Sequence, residues 1–138
     1  MDINGHIILC EDYVSFETAK LLKEKGFCEN TEHEIWYVIK QFSTGCHWNS
    51  CTYKVGDITR EYNGDCCIPM PTLQMAMKWL REEYRISIEI SALNHNHWIY
   101  TIYRLFEEKV NELYNDGTYI SYEDATNEAL KYCLEHLI

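Results

Sequence analysis

The sequence contains few of the residues that interrupt a fold, with only two prolines and six glycines in 138 residues. This leaves little room for a flexible linker, so we expect a single domain over residues 1–138. The first stretch, MDINGHIILCEDY, has no basic segment, and its apolar run of about four residues is short. It predicts neither a signal peptide nor a membrane span.

The sequence also lacks the common catalytic motifs. It has no Gly-x-Ser-x-Gly, phosphate-binding loop, dinucleotide fingerprint or His-Glu-x-x-His. We therefore predict no catalytic residue and no cofactor-binding residue. A small enzyme with an unrecognised site stays open, because cysteine and histidine side chains far apart in sequence can meet in space.

The seven cysteines are odd in number and follow no regular spacing. Without a secretion signal, this pattern favours reduced thiols in the cytoplasm. Cys46, His47 and Cys51, followed by Cys66 and Cys67, are residue types that bind zinc. However, a four-residue gap and an adjacent pair do not match the usual two-residue spacing. We expect free thiols and no metal.

Basic residues are scarce at both ends of the chain, and the formal net charge is −10. Residues 1–34 carry −5, residues 35–104 carry +1 and residues 105–138 carry −6. Lys78, Arg81 and Arg85 make only a weak basic patch beside two glutamates. Acidic ends repel phosphate, so we expect no direct binding to nucleic acid.

Three similar segments each predict the start of a helix. Residues 13–19 (YVSFETA) align with residues 119–125 (YISYEDA), and residues 71–76 (PTLQMA) form a more degenerate copy. In each, a Ser or Thr is placed to cap the helix, and Val14 and Ile120 can serve as staple residues. Either one capping device is used three times, or the chain contains an α-ββ repeat over 13–66 and 72–115, followed by a terminal helix over 121–138.

Apolar periodicity defines three helices and four strands. The helices run from Phe16 to about Lys25, from Leu73 to about Tyr84, and from Tyr122 to the C-terminus. The strands are 34–42, 51–62, 85–93 and 97–105. In the third strand, Ile86, Ile88, Ile90 and Ala92 fall on one face. The order α-ββ-α-ββ-α predicts a compact α+β domain with an antiparallel sheet.

Two segments carry a resemblance to a family. CIPMPTLQMAMKWLREEY and SYEDATNEALKYCLEHLI resemble the signature segments of small uncharacterised proteins from gut anaerobic bacteria and their prophages. The resemblance covers about residues 66–138. The matching positions are Pro69, Pro71, Thr72, Leu73, Lys78, Trp79, Leu80, Arg81, Ser121, Tyr122, Glu123 and Ala125. It implies a mobile-element origin and no catalytic activity.

Two further patterns have ordinary structural explanations. NHNHW over residues 94–98 contains the letters His-Asn-His, but consecutive residues of this kind are typical of a turn rather than of a nuclease. Aromatic residues at 35–37 and 98–103 could stack on ligands, although packing in a sheet core explains them better.

We therefore expect a non-enzymatic accessory protein that binds an unknown protein partner, with its oligomeric state open. One alternative is an acidic inhibitor that mimics DNA, which needs carboxylates arrayed on one face. The other is a small enzyme, which needs a concave pocket with convergent titratable groups.

Overall fold

A computed structural model of the chain describes Gly5 and residues 12–27, 35–42, 45–52 and 67–138. The helices are α1 (Phe16–Glu24), α2 (Leu73–Tyr84) and α3 (Tyr122–Tyr132), and α3 continues as a π-helical turn over Cys133–Leu137. The strands are β1 (Ile35–Phe42), β2 (Gly45–Thr52), β3 (Cys67–Pro69), β4 (Ile86–Asn94), β5 (His97–Leu105) and β6 (Val110–Tyr119). The predicted α+β class is confirmed.

All three predicted helix caps are present. The hydroxyl of Ser15 accepts a hydrogen bond from the Thr18 amide at 3.3 Å, and the hydroxyls of Thr72 and Ser121 accept from the amides three residues later at 3.1 and 3.0 Å. Each bond satisfies an amide that has no partner inside the first helical turn. Local sequence chemistry therefore sets where these helices begin.

Burial agrees with the staple prediction for Val14 and contradicts it for Ile120. Val14 is buried before α1, whereas 77% of Ile120 is exposed before α3. The start of α3 is packed instead by Tyr122, whose ring meets the Trp98 ring edge-on at 5.7 Å. An aromatic contact to β5 thus takes the place of the local apolar contact.

The helix ends also follow the sequence, with one exception. α1 is followed by Gly26 at φ 89°, a left-handed conformation that glycine adopts without steric cost. α2 ends at Tyr84 as predicted, with Arg85 at φ 57° as its cap. The α-helix expected to reach the C-terminus instead changes to π-helix at Cys133.

The strands form two antiparallel sheets with orders β2-β1-β3 and β4-β5-β6. Two strands were missed, the short β3 and the long β6. The strand expected over 51–62 overlaps β2 at Cys51 and Thr52, and residues 53–66 lie outside the described residues. β2 is polar in sequence but forms because it pairs with β1 over eight positions.

The starts of α1 and α2 lie side by side. The Val14 amide donates to the Pro71 carbonyl at 3.0 Å, and the Leu73 amide donates to the Asp12 carbonyl at 2.9 Å. α3 packs on α1, on α2 and on all three strands of the second sheet. The core lies between this sheet and the helices, and its fully buried members include Leu22, Leu80, Ile86, Ile102, Leu130 and Leu134.

The internal α-ββ repeat stays a prediction. The first sheet has its earliest strand, β1, in the centre, whereas the second has its middle strand, β5, in the centre. Within the described ranges, no helix is long and apolar enough to cross a membrane.

Candidate functional site

The β4-β5-β6 sheet has one face covered by helices. Strand pairing places Ile86, Ile88 and Ile90 on the same face as Ile102 and Tyr100, as the alternation predicted. Ile86, Ile88, Tyr100 and Ile102 are buried, Ile90 is half-buried and Ala92 is exposed. Burial on this face therefore decreases toward the β4–β5 turn.

The opposite face, which we call the open face, contains no buried side chain. Its central positions are Thr101, which pairs with Glu89 and Asn115, and Tyr103, which pairs with Ser87 and Glu112. The half-buried members are Ser87, Ile99, Thr101, Tyr103 and Leu105, and the exposed ones are Glu89, Ser91, Leu93, Val110, Glu112, Asn115 and Gly117. The open face is therefore accessible to a partner along its whole length.

The central strand of the open face is apolar on both sides. Trp98, Tyr100 and Ile102 point to the helices, while Ile99, Tyr103 and Leu105 belong to the open face. A strand with apolar residues on both faces is typical of a sheet covered on both sides. The open face is thus more apolar than a solvent-facing sheet surface needs to be.

Apolar residues also cluster at the β5–β6 hairpin next to the open face. Phe106 and Val110 are 48% and 58% exposed, and the Phe106 amide donates to the Lys109 carbonyl at 2.9 Å. The Lys109 ammonium lies 5.3 Å from the centre of the Phe106 ring, a cation–π distance. The hairpin therefore extends the apolar surface beyond Leu105.

A hollow of about 520 Å³ lies at the other end of the open face, next to Leu93 and Ile99. The titratable group in its lining, the Asp116 carboxylate, is already engaged. Its Oδ1 accepts from the Gly117 amide and its Oδ2 accepts from the Tyr119 hydroxyl, both at 2.9 Å. A carboxylate held in this way supports the sheet rather than acting as a free base.

Asp116 belongs to a tyrosine network beneath β6. Burial raises the pKa of Tyr119 to about 12, and its hydrogen bond to Asp116 adds to the effect. Burial, followed by the nearby Tyr119, raises the pKa of Tyr100 well above its usual range. The Tyr114 ring stacks on Tyr132 at 3.8 Å with an interplanar angle of 5°. The contacts of these tyrosines hold β6 against β5 and α3.

A second hollow, of about 320 Å³, lies where β6 meets α3. It contains the carboxyl groups of Asp124 and Glu128, one helical turn apart, together with Asn127. The Asn127 Oδ1 accepts from the Ser15 amide at 3.1 Å and from the Thr18 hydroxyl at 3.0 Å. Asn127 therefore joins α3 to the start of α1.

The histidine pattern of NHNHW lies in the β4–β5 hairpin turn, as expected. The Asn94 Oδ1 accepts from the Asn96 amide at 2.9 Å and lies 2.8 Å from the His97 Nδ1. His95 and His97 are exposed. This arrangement is an Asx turn, in which the asparagine side chain closes the loop.

The cysteine cluster is only partly within the described residues. The backbones of Cys46 and Cys51 lie in β2 opposite Gln41 and Trp36, and Cys67 lies in β3 opposite Val38. Cys66 lies outside the described residues. In the part of the chain with described side chains, no three His, Cys, Asp or Glu residues group as metal ligands. The absence of metal stays a prediction.

The aromatic residues at 98–103 divide between the two faces. Trp98 and Tyr100 pack on the covered face as predicted, but Tyr103 lies half-buried on the open face. The backbone of residues 35–37 lies in β1, but their side chains are outside the part of the chain that the structure describes. The signal for the open face was present in the sequence of β5, where WIYTIY is apolar or aromatic except at Thr101, a pattern that favours a strand with two contact faces.

Comparison with known proteins gives no relative. The chain matches no protein-family model, no curated protein and no solved structure. The function must therefore be argued from the surface itself.

Proposed function

We propose that this protein is a non-enzymatic accessory protein that binds another protein through the open face. The observation that carries the proposal is the double-sided apolar character of β5, with Ile99, Tyr103 and Leu105 on a face that has no buried side chain. A protein partner would bury these residues and gain about 25 cal/mol for each Å² of apolar surface removed from water.

The proposal extends to the setting in which the protein acts. A mobile-element origin follows from the resemblance of residues 66–138 to prophage-encoded proteins, and a cytoplasmic location follows from the cysteine pattern. The genes next to its coding sequence test the origin. A cluster of phage structural or counter-defence genes is expected, and a cluster of chromosomal metabolic genes would contradict it.

Affinity capture with matched baits tests the binding surface. Tyr103→Thr keeps a residue that favours strands but removes the half-buried ring. Met75→Thr is the control, because Met75 is an exposed apolar residue that lies on α2. We expect a protein that is captured by the wild type and by Met75→Thr and is lost with Tyr103→Thr. Equal capture by all three baits would contradict the proposal.

DNA mimicry is the second candidate, because residues 106–128 contain seven acidic residues and one basic residue. It ranks below protein binding through the open face because these acids do not share one face. Glu112 pairs with Tyr103 on the open face, whereas Asp116 pairs with Tyr100 on the covered face and is bonded within β6. Mimicry predicts capture of a DNA-binding enzyme that is lost on neutralising Glu107, Glu108 and Glu112.

A further inference from the structure

Acidic side chains flank the apolar row of the open face. Glu89 on β4 lies opposite Thr101, and Glu112 on β6 lies opposite Tyr103. Both side chains are exposed. The Glu112 Oε1 accepts from Asn115 Nδ2 at 2.6 Å, and because this donor is a neutral amide the carboxylate keeps its negative charge. Among the residues that make up the open face there is no lysine or arginine. Arg104, the basic residue of β5, belongs to the covered face and donates to the Tyr84 carbonyl at 3.4 Å.

We propose that the occupant of the open face is a single basic segment of another protein, with apolar side chains between lysines or arginines. This inference rests on the proposed function and adds the chemistry of the partner. Apolar side chains would cover Ile99 and Tyr103, while the basic side chains would reach Glu89 and Glu112.

The size of the open face favours a segment over a folded domain. Three strands spaced by about 4.8 Å and nine residues rising about 3.3 Å each give a face of about 14 Å by 30 Å in projection. A face this narrow is suited to one extended chain that lies along it.

Charge excludes two other occupants. Two copies of this chain packed through their open faces would bring Glu89 and Glu112 close to the same residues of the second copy, and such like charges repel. A nucleic acid would bring phosphates to the same carboxylates, and repulsion would oppose its binding.

The positions of the two carboxylates set a spacing for the partner. Glu89 and Glu112 lie on opposite sides of β5 and two residues apart along it, so their Cα atoms are about 12 Å apart. In an extended chain, residues i and i+4 are on the same side and about 13 Å apart. We therefore expect basic residues four positions apart, with an apolar residue midway.

The test uses a phage-displayed library of random twelve-residue peptides selected on the intact protein. We expect enrichment of peptides that combine apolar residues with two or more lysines or arginines. The best peptide is then synthesised, and its affinity is measured by fluorescence anisotropy at low salt. Glu89→Gln with Glu112→Gln should weaken binding by on the order of 5–10-fold, since exposed ion pairs contribute modestly.

Matched variants separate this inference from the proposed function. Glu24→Gln with Glu83→Gln removes the same charge from exposed helix positions and should change the affinity less than about twofold. Tyr103→Thr should abolish binding.

Each other outcome is decisive. Neutral or acidic peptides that require Tyr103 would overturn the basic partner and leave the proposed function standing. Basic peptides that bind both double variants equally would also overturn it. If no selected peptide requires Tyr103, both proposals fail. Self-association lost with Tyr103→Thr would replace the partner with a second copy of the chain.

Discussion

Asn127 provides the most direct test of how the C-terminal helix holds the N-terminal one. Its side-chain oxygen accepts from the Ser15 amide at 3.1 Å and from the Thr18 hydroxyl at 3.0 Å. Thr18 is fully buried. Asn127→Ala removes the acceptor and leaves both donors without it, so we expect the free energy of unfolding to fall.

The magnitude follows from two opposing effects. Two hydrogen bonds contribute about 0.5–1.5 kcal/mol each, which gives about 1–3 kcal/mol. Alanine is a better helix former than asparagine by about 0.6 kcal/mol, which offsets part of the loss. The expected net destabilisation is therefore about 0.5–2.5 kcal/mol. Asn127→Asp keeps an acceptor near the positive end of the α1 dipole and should lose less.

Urea denaturation followed by tryptophan fluorescence gives the unfolding free energies. Thr18→Val removes the buried hydroxyl with little change in volume, and the double variant with Asn127→Ala completes a cycle. We expect a coupling energy of about 0.5–1.5 kcal/mol, because the two residues share a hydrogen bond. Strictly additive losses, or equal losses for the Ala and Asp variants of Asn127, would refute the assignment of this bridge.

Three other predictions concern a cap, a strained residue and pH. Ser121→Ala should destabilise the protein by about 0.5–2 kcal/mol and Ser121→Thr by much less, and equal denaturation midpoints would rule out the cap. Arg85→Gly should stabilise the protein by about 0.5–1 kcal/mol, because Arg85 has a positive φ that glycine adopts more easily. Arg81→Gly inside α2 is the control and should destabilise it by about 1 kcal/mol. A loss of stability in both variants would contradict backbone strain at Arg85. Burial raises the pKa of Cys133 from 9.0 to about 12 and the pKa of Tyr119 from 10.0 to about 12. The fold thus binds these protons more tightly than the unfolded chain does, and urea midpoints should fall as the pH rises from 9 toward 12. A smaller fall is expected for Cys133→Ala, and a constant midpoint from pH 8 to 11 would disprove the linkage.

Features that depend on a few neighbouring residues could be predicted from the sequence. The hydroxyls of Ser15, Thr72 and Ser121 reach amides only three residues away, so the helix starts do not depend on the rest of the fold. The same holds for the Asn94 side chain, which closes its own hairpin turn. Apolar residues at helical spacing likewise located the three helices.

β6 could not be predicted, because its own residues oppose strand formation. The stretch NELYNDGT is rich in Asn, Asp and Gly, which are typical of turns and depleted in strands. It becomes a strand because β5 supplies pairing partners and the rings of Tyr114 and Tyr119 pack on Tyr132 and Tyr100. The ring contacts join residues 18 and 19 positions apart, so no pattern within β6 itself encodes them.

The candidate site divides in the same way. The sequence alone determined that β5 carries apolar residues on both faces, because six of its nine residues are apolar or aromatic and three of them fall on each face. Only the tertiary structure decided that helices cover one face and leave Tyr103 on the other. The reason is that α3 can pack on only one side of a three-stranded sheet. The side that it occupies depends on its contacts with β4, α1 and α2, which lie elsewhere in the chain.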